Sequence, residues 1–442
     1  MNHKIKRRTF LKSSAVFGAG LMIAKSGILK AGRSPNEKLN IAVIGVRGRG
    51  GDNLNSVKSE NIVALCDVNA KNLAEAAKDF PRAKTYEDWR KCLEQKDIDA
   101  VVCSTTDHTH AFINTWAMNR GKHVYCEKPL GNSVEEAYMV RQTYLKNRNK
   151  IATQMGTQIH ASDNYRRMVE LIRRGAIGTP SEARVWCSRT PEGGSYLPEV
   201  KPVPEYINWD LWIGPAPFHP FNPDYIKGGC LSWNRFWDFG SGQIGDMGSH
   251  MIDMAYWGLD LKLPTTCQAE GTEINPDTCP QWLTAEWDHP ANDWRPAIKL
   301  HWYDGGKKPG MPSEAFDREK LFKGVLFKGD KGWLLADYSL LILMPRQNEG
   351  DMTYYKSPKP EDLIPPSLGH HAEWIVACKT GKPTTCNFDY SGALIHNNLL
   401  ALVAYRVGKK LQWDAENLKA TNCPEADNYI RKTYRSGWVL NG

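Results

Sequence analysis

Four apolar runs of strand length, 39–45, 61–67, 99–105 and 122–126, alternate with helical patterns such as 69–80 and 109–121. Strands that are apolar throughout have both faces covered, and helices between them let them lie parallel. The alternation predicts a doubly wound parallel sheet over residues 38–150. At 442 residues the chain exceeds one ordinary core, so a second domain is expected over 151–442. There the stretches 265–274, 283–287, 297–303 and 325–343 are rich in β-branched and aromatic residues without regular helices between them. That predicts a large, mainly antiparallel sheet in an α+β domain, with helices at 370–379 and 389–411 packing back on the body. The overall class is α/β.

The first turn, Ile44-Gly45-Val46-Arg47-Gly48-Arg49-Gly50-Gly51, follows a strand and leads into a helix. Glycines there let the backbone approach a pyrophosphate, and the helix start offers free amides. The match to G-x-G-x-x-G is imperfect, since Arg47 stands at the third position. Gly45 and Gly48 would form the turn, and Arg47 or Arg49 would meet phosphate oxygens. The second strand ends in Asp67, 22 residues beyond Gly45. An acid there accepts hydrogen bonds from both ribose hydroxyls and repels the extra phosphate of NADP, which makes NAD the expected cofactor. Asp67 could also cap a helix starting near Asn69.

Glu127-Lys128-Pro129 ends an apolar strand, where burial of an acid and a base demands a partner or a ligand. Further on, Asp246 and His250 are four residues apart and share one face in a helix. Histidine is well suited to taking a proton near neutral pH, and a nearby carboxylate fixes or strengthens it. Taken singly, these are a solvated ion pair, a capping acid and a surface histidine. The stretches 208–215 and 233–238 are rich in tryptophan, and flat aromatic faces beside polar groups suit sugar rings. Trp233 and Arg235 are the expected substrate contacts.

The glycine turn, Asp67, Ser104-Thr105-Thr106-Asp107-His108-Thr109-His110, Glu127-Lys128-Pro129 and Gly245-Asp246-Met247-Gly248-Ser249-His250 occur in one order along the chain. Together they resemble the glucose-fructose oxidoreductase, inositol dehydrogenase and rhizopine catabolism (Gfo/Idh/MocA) family. The resemblance implies that Lys128 sits beside the nicotinamide and the reacting hydroxyl, and that Glu127 reaches the neighbouring ribose. It further implies that Thr105, Asp107 and His110 lie along the cofactor and that Gln158 approaches its nicotinamide end. A homo-oligomer, dimer or tetramer, formed through the wide sheet is expected on the same ground. The resulting reading is an NAD-dependent oxidoreductase acting on a ring hydroxyl of a carbohydrate. His250 removes the hydroxyl proton, Lys128 holds the oxygen, Asp246 orients the substrate, and Asp253 backs His250. A redox-neutral, NAD-dependent glycosidase is the alternative, disfavoured by the intact Lys128. A sugar or NAD sensor without chemistry is the other, disfavoured by Lys128, Asp246 and His250 together.

The formal charge of +8 resides in residues 1–33, which carry eight Lys and Arg and no acid; the remaining 49 bases balance 49 acids. No nucleic-acid partner is expected. Within that segment Lys6-Arg7-Arg8-Thr9-Phe10-Leu11-Lys12 is similar to a twin-arginine export motif, which predicts a periplasmic protein. The apolar stretch 15–24 is too short to cross a bilayer core of about 30 Å, so no membrane span is expected. Eleven cysteines without a C-x-x-C pair make neither a disulfide framework nor a zinc ribbon. Cys66, Cys103, Cys126 and Cys187 read as small buried hydrophobes. His108 and His110, with His370-His371, are the dense candidates for a metal, and none is expected.

Overall fold

The computed structural model describes residues 37–312, 317–345 and 352–441. The basic segment 1–33, with its export motif, lies outside them. Six parallel strands form the first sheet: β1 (Asn40–Ile44), β2 (Asn61–Cys66), β3 (Lys84–Tyr86), β4 (Ala100–Cys103), β5 (His123–Cys126) and β6 (Thr153–Met155), in the order β3-β2-β1-β4-β5-β6. The sixth strand lies past residue 150, so this sheet extends beyond the expected boundary. Chain connections diverge on either side of β1 and β4, which opens a crevice at the carboxyl ends of these two strands. Both faces are covered, as the apolar sequence of the strands requires; Val43, Val101, Val102 and Cys103 are fully buried.

The second sheet has nine strands: β7 (Pro180–Cys187), β8 (Thr266–Gly271), β9 (Leu283–His289), β10 (Ile298–Asp304), β11 (Lys323–Gly329), β12 (Gly332–Ala336), β13 (Leu341–Pro345), β14 (Leu411–Asp414) and β15 (Lys419–Ala420). Their order is β13-β12-β11-β7-β10-β9-β8-β14-β15, antiparallel throughout except where β7 meets β10. In β9 and β10 alternate residues are buried. Leu283, Ala285 and Trp287 with Ile298, Leu300 and Trp302 face inward, while Glu286 and Lys299 pair on the outer face at 2.5 Å.

Helix Phe388–Val407 joins the second sheet to the first domain, and helix Gly248–Gly258 packs against it and on the inner face of that sheet. The former is buried on nearly every side, which explains why its sequence carries no polar stripe. It ends at Gly408 in the left-handed conformation, earlier than expected, because the chain turns there into β14. The last described residues return to the first domain, where Trp116 donates its indole N–H to the Val439 carbonyl at 2.9 Å. No helix among the described residues is long and apolar enough to cross a membrane.

Candidate active site

A cavity of about 950 Å³ opens at the carboxyl ends of β1 and β4 and is walled on its other side by the second domain. The first turn excludes a side chain at two of its positions. Gly45 has a φ of 82°, and a Cβ on it would lie 2.4 Å from the Ser104 carbonyl oxygen. One on Gly50 would lie 2.0 Å from the Gly45 carbonyl oxygen. Gly48 caps the helix Arg49–Val57. Arg47 and Arg49 line the cavity with exposed pairs to Glu75 and Asp52.

Asp67 accepts the Val46 amide at 3.0 Å and the Asn69 amide at 2.8 Å, one on each oxygen. Burial raises its carboxyl above the ordinary range, against the pull of those two amides. Each oxygen keeps a lone pair for a ribose hydroxyl. The capping role that Asp67 could have filled belongs to Asn69, whose side chain accepts the Lys71 and Asn72 amides.

Thr105 and Thr109 share a hydroxyl bond of 2.7 Å at the same wall. Asp107, the first residue of helix Asp107–Asn119, is buried against the cavity, and burial drives its carboxyl well above the ordinary range. The ring nitrogens of His110 face the Pro129 carbonyl at 2.7 Å and the Thr105 carbonyl at 3.1 Å, which ties the ends of β4 and β5 together. Glu127 is buried, with Oε1 accepting Asn53 at 3.0 Å and Gln158 at 2.8 Å.

The opposite end of the cavity is made of interlocked charges. Lys128 Nζ pairs with Asp246 Oδ1, and Arg189 Nη1 meets Asp246 Oδ2 at 2.8 Å. Burial opposes charge on Lys128, but Asp246 overrides it and the ammonium is raised above its ordinary value. Burial likewise opposes the Asp246 carboxylate, and Lys128 pulls it below the ordinary range. Helix Gly242–Asp246 runs through Met247 into Gly248–Gly258, so His250 lies one turn beyond Asp246 on the cavity wall.

His250 Nδ1 is 3.0 Å from the Thr157 hydroxyl, whose own proton goes to the Ser249 carbonyl at 3.2 Å. That commitment makes Nδ1 the donor and leaves Nε2 with its lone pair. Burial, then the Lys128 charge, lower the imidazole to about 3, so it is neutral at pH 7.

The structure revises several expectations. Asp253 does not back His250: it is buried against helix Phe388–Val407, accepting His160 at 2.9 Å and the Tyr390 hydroxyl at 2.6 Å. Trp233 lines the cavity, whereas Arg235 does not. The turn after Trp233 sends the Arg235 guanidinium across the Phe236 ring to Glu192. His370 and His371 stand perpendicular and 6.3 Å apart, the first facing the Met155 carbonyl at 2.8 Å and the second Asn53 at 2.9 Å. Cys103, His110 and Cys126 bring possible ligand atoms within 4.8 Å of one another. Both His110 nitrogens are occupied by carbonyls, and burial holds the Cys126 thiol well above its ordinary value. This cluster is sheet packing rather than a ligand set.

Thr157, Arg189 and Tyr338 belong to the site and had no signal in the sequence. Tyr338 packs 6.3 Å from the His250 ring, and Arg189 follows β7, a strand unmarked by regular alternation. Cys230, on the cavity rim, is the one exposed cysteine of the eleven.

A turn that excludes a Cβ at Gly45 and Gly50, an acid at the end of β2 and a cavity of this size fit a nicotinamide dinucleotide. Fold and site together define a two-domain protein of the dinucleotide-binding oxidoreductase class. Residues 39–155 match the family model described as oxidoreductase family, NAD-binding Rossmann fold, and residues 185–291 match the oxidoreductase family's C-terminal alpha/beta domain. The chain belongs to the Gfo/Idh/MocA oxidoreductase family.

It is similar to inositol 2-dehydrogenase of Salmonella typhimurium, 29% identical over 147 residues, 32% of this chain and 44% of that protein. It is also similar to levoglucosan dehydrogenase of Pseudarthrobacter phenanthrenivorans, 32% identical over 199 residues, 43% of this chain and 40% of that protein. The chain thus spans under half the length of these relatives. Among solved structures, levoglucosan dehydrogenase in complex with NADH and levoglucosan superposes with a TM-score of 0.55 at 19% identity, covering 85% of this chain and 99% of that one. The WlbA dehydrogenase of Bordetella pertussis, in complex with NADH and UDP-GlcNAcA, gives 0.60 at 14%, covering 86% and 99%. These likenesses show the fold.

Proposed function

We propose that the protein is an NAD-dependent oxidoreductase that oxidises a ring hydroxyl of a sugar or glycoside. The observation that carries this reading is the hydrogen-bond chain through Thr157, which leaves His250 neutral with Nε2 unprotonated on the cavity wall close to the Lys128–Asp246 pair. Nε2 takes the proton of the substrate hydroxyl. Lys128, kept protonated by Asp246, donates to the same oxygen and stabilises the negative charge that develops on it. Each Asp246 oxygen holds one cation, Lys128 or Arg189, and keeps a lone pair through which Asp246 orients the sugar. Trp233 offers an apolar face to the ring. NAD, bound between the Gly45 turn and Asp67, supplies the hydride acceptor. Relatives named for inositol and levoglucosan support a polyhydroxylated substrate.

Within this reading the protein acts in the periplasm, exported folded with its cofactor through the twin-arginine motif in residues 1–33. It works as a homo-oligomer joined through the outer face of the nine-stranded sheet, where Tyr303 and Trp333 are half-buried. Light scattering of the purified protein tests the second point, and cell fractionation the first.

The central test is to purify the exported form without added cofactor, measure bound nicotinamide, and supply free sugars and aryl glycosides. A keto sugar with reduced cofactor is expected. Release of the aglycone with no net redox change would assign a hydrolytic cycle instead. Folded Lys128→Met and His250→Ala variants that both kept full turnover would sink the mechanism.

A further inference from the structure

Helix His370–Thr380, from far along the chain, packs on the first helix of the nucleotide domain, Arg49–Val57. At their contact His371 Nε2 lies 2.9 Å from Asn53 Oδ1. Asn53 is fully buried, and its amide nitrogen donates to Ser104 Oγ at 2.9 Å and to Glu127 Oε1 at 3.0 Å. Since the Asn53 oxygen can only accept, His371 donates through Nε2. Its ring is held by stacking on Tyr125, 4.5 Å between centroids and 21° from parallel.

Glu127 Oε1 therefore receives Asn53 from one side and Gln158 from the other. Behind it there is no slack, because a Cβ on Gly156 would lie 2.7 Å from that same oxygen. Oε2 is the oxygen left for a ligand in the cavity that Glu127 lines. We propose that His371 is a positioning residue for the cofactor: through Asn53 it fixes the Glu127 carboxylate so that Oε2 meets a ribose hydroxyl of bound NAD. This rests on the NAD-binding reading above and adds to it a residue from the domain that otherwise faces the substrate.

The test is a calorimetric titration of NAD into the full-length wild-type protein and its His371→Phe, His371→Ala and His371→Gln variants, each first stripped of co-purified nucleotide, with thermal unfolding of each apo form. Phenylalanine keeps the stack on Tyr125 and removes the donor; glutamine restores a donor. His371→Phe should weaken NAD about tenfold, the loss expected for one hydrogen bond to a buried network. His371→Gln should recover to within about threefold of wild type, and apo unfolding midpoints should not follow the order of affinities. His371→Ala carries the same expectation as His371→Phe should the larger ring disturb the helix contact. Wild-type affinity in His371→Phe overturns the proposal, as does equal loss in the Phe and Gln variants, which would assign the effect to packing. Wild-type protein that binds no NAD overturns the cofactor reading itself, a different failure.

Discussion

At the cofactor end of the cavity the shape is set by backbone. Gly45 and Gly50 have carbonyl oxygens where a side chain would go, and two amides aim Asp67. At the substrate end it is set by side chains from three separate segments: Lys128, Asp246 and Arg189 hold one another by charge, and His250, one turn beyond Asp246, is held by a hydrogen bond to Thr157. Backbone that admits no Cβ leaves little freedom to vary. Charged side chains can vary while the backbone that carries them keeps its course. The first end therefore suits a cofactor common to many enzymes, and the second suits a substrate that differs between them.

The contrast is sharpest if one end can be broken while the other stays intact. Lys128→Met should lower turnover with bound NAD by about a thousandfold while leaving NAD affinity near wild type, since it removes the donor to the reacting oxygen. Stopped-flow reduction of NAD with titrated cofactor checks both halves. Gly50→Ala should do the reverse. Overlap with the Gly45 carbonyl costs about 3 kcal/mol or more, seen as at least about a hundredfold weaker NAD binding or a lowered unfolding midpoint. Arg189→Leu leaves Asp246 with Lys128 alone, and because Arg189 is part-exposed the effect should be about tenfold on kcat/KM, with NAD affinity unchanged.

The smallest effect concerns pH. His250, His370 and His396 are each lowered by burial to about 3 from an ordinary 6.5. Below that ordinary value the unfolded chain binds protons that the folded one refuses, so their contribution is complete above about pH 6.5 and is lost as pH falls toward 3. The unfolding midpoint should drop by several degrees between pH 7.5 and 5. A midpoint independent of pH over that interval would mean that these histidines take up protons in the fold as readily as in the unfolded chain.

Legibility in the sequence followed the same division. The alternation of apolar runs and helices defined the parallel sheet, and the glycine turn with Asp67 marked the cofactor end, because local sterics and spacing leave traces in neighbouring residues. The substrate end left few. Lys128, Asp246 and His250 stood out only through resemblance, and Arg189 and Thr157 not at all, since their partners lie 57 and 93 residues away. Strand β7 escaped notice because it is central and buried on much of both faces, without clean alternation. Arg235 was misplaced because the turn after Trp233 sends apart two residues that are only two positions apart in sequence.

The distribution of thiols has a practical consequence. Ten of the eleven cysteines are sealed in the interior, and the remaining one, Cys230, sits at the mouth of the cavity. A maleimide dye added to the native protein should attach at that single position without any engineered site. Its emission would then report cofactor and substrate entering the cleft, which makes the unmodified chain its own biosensor.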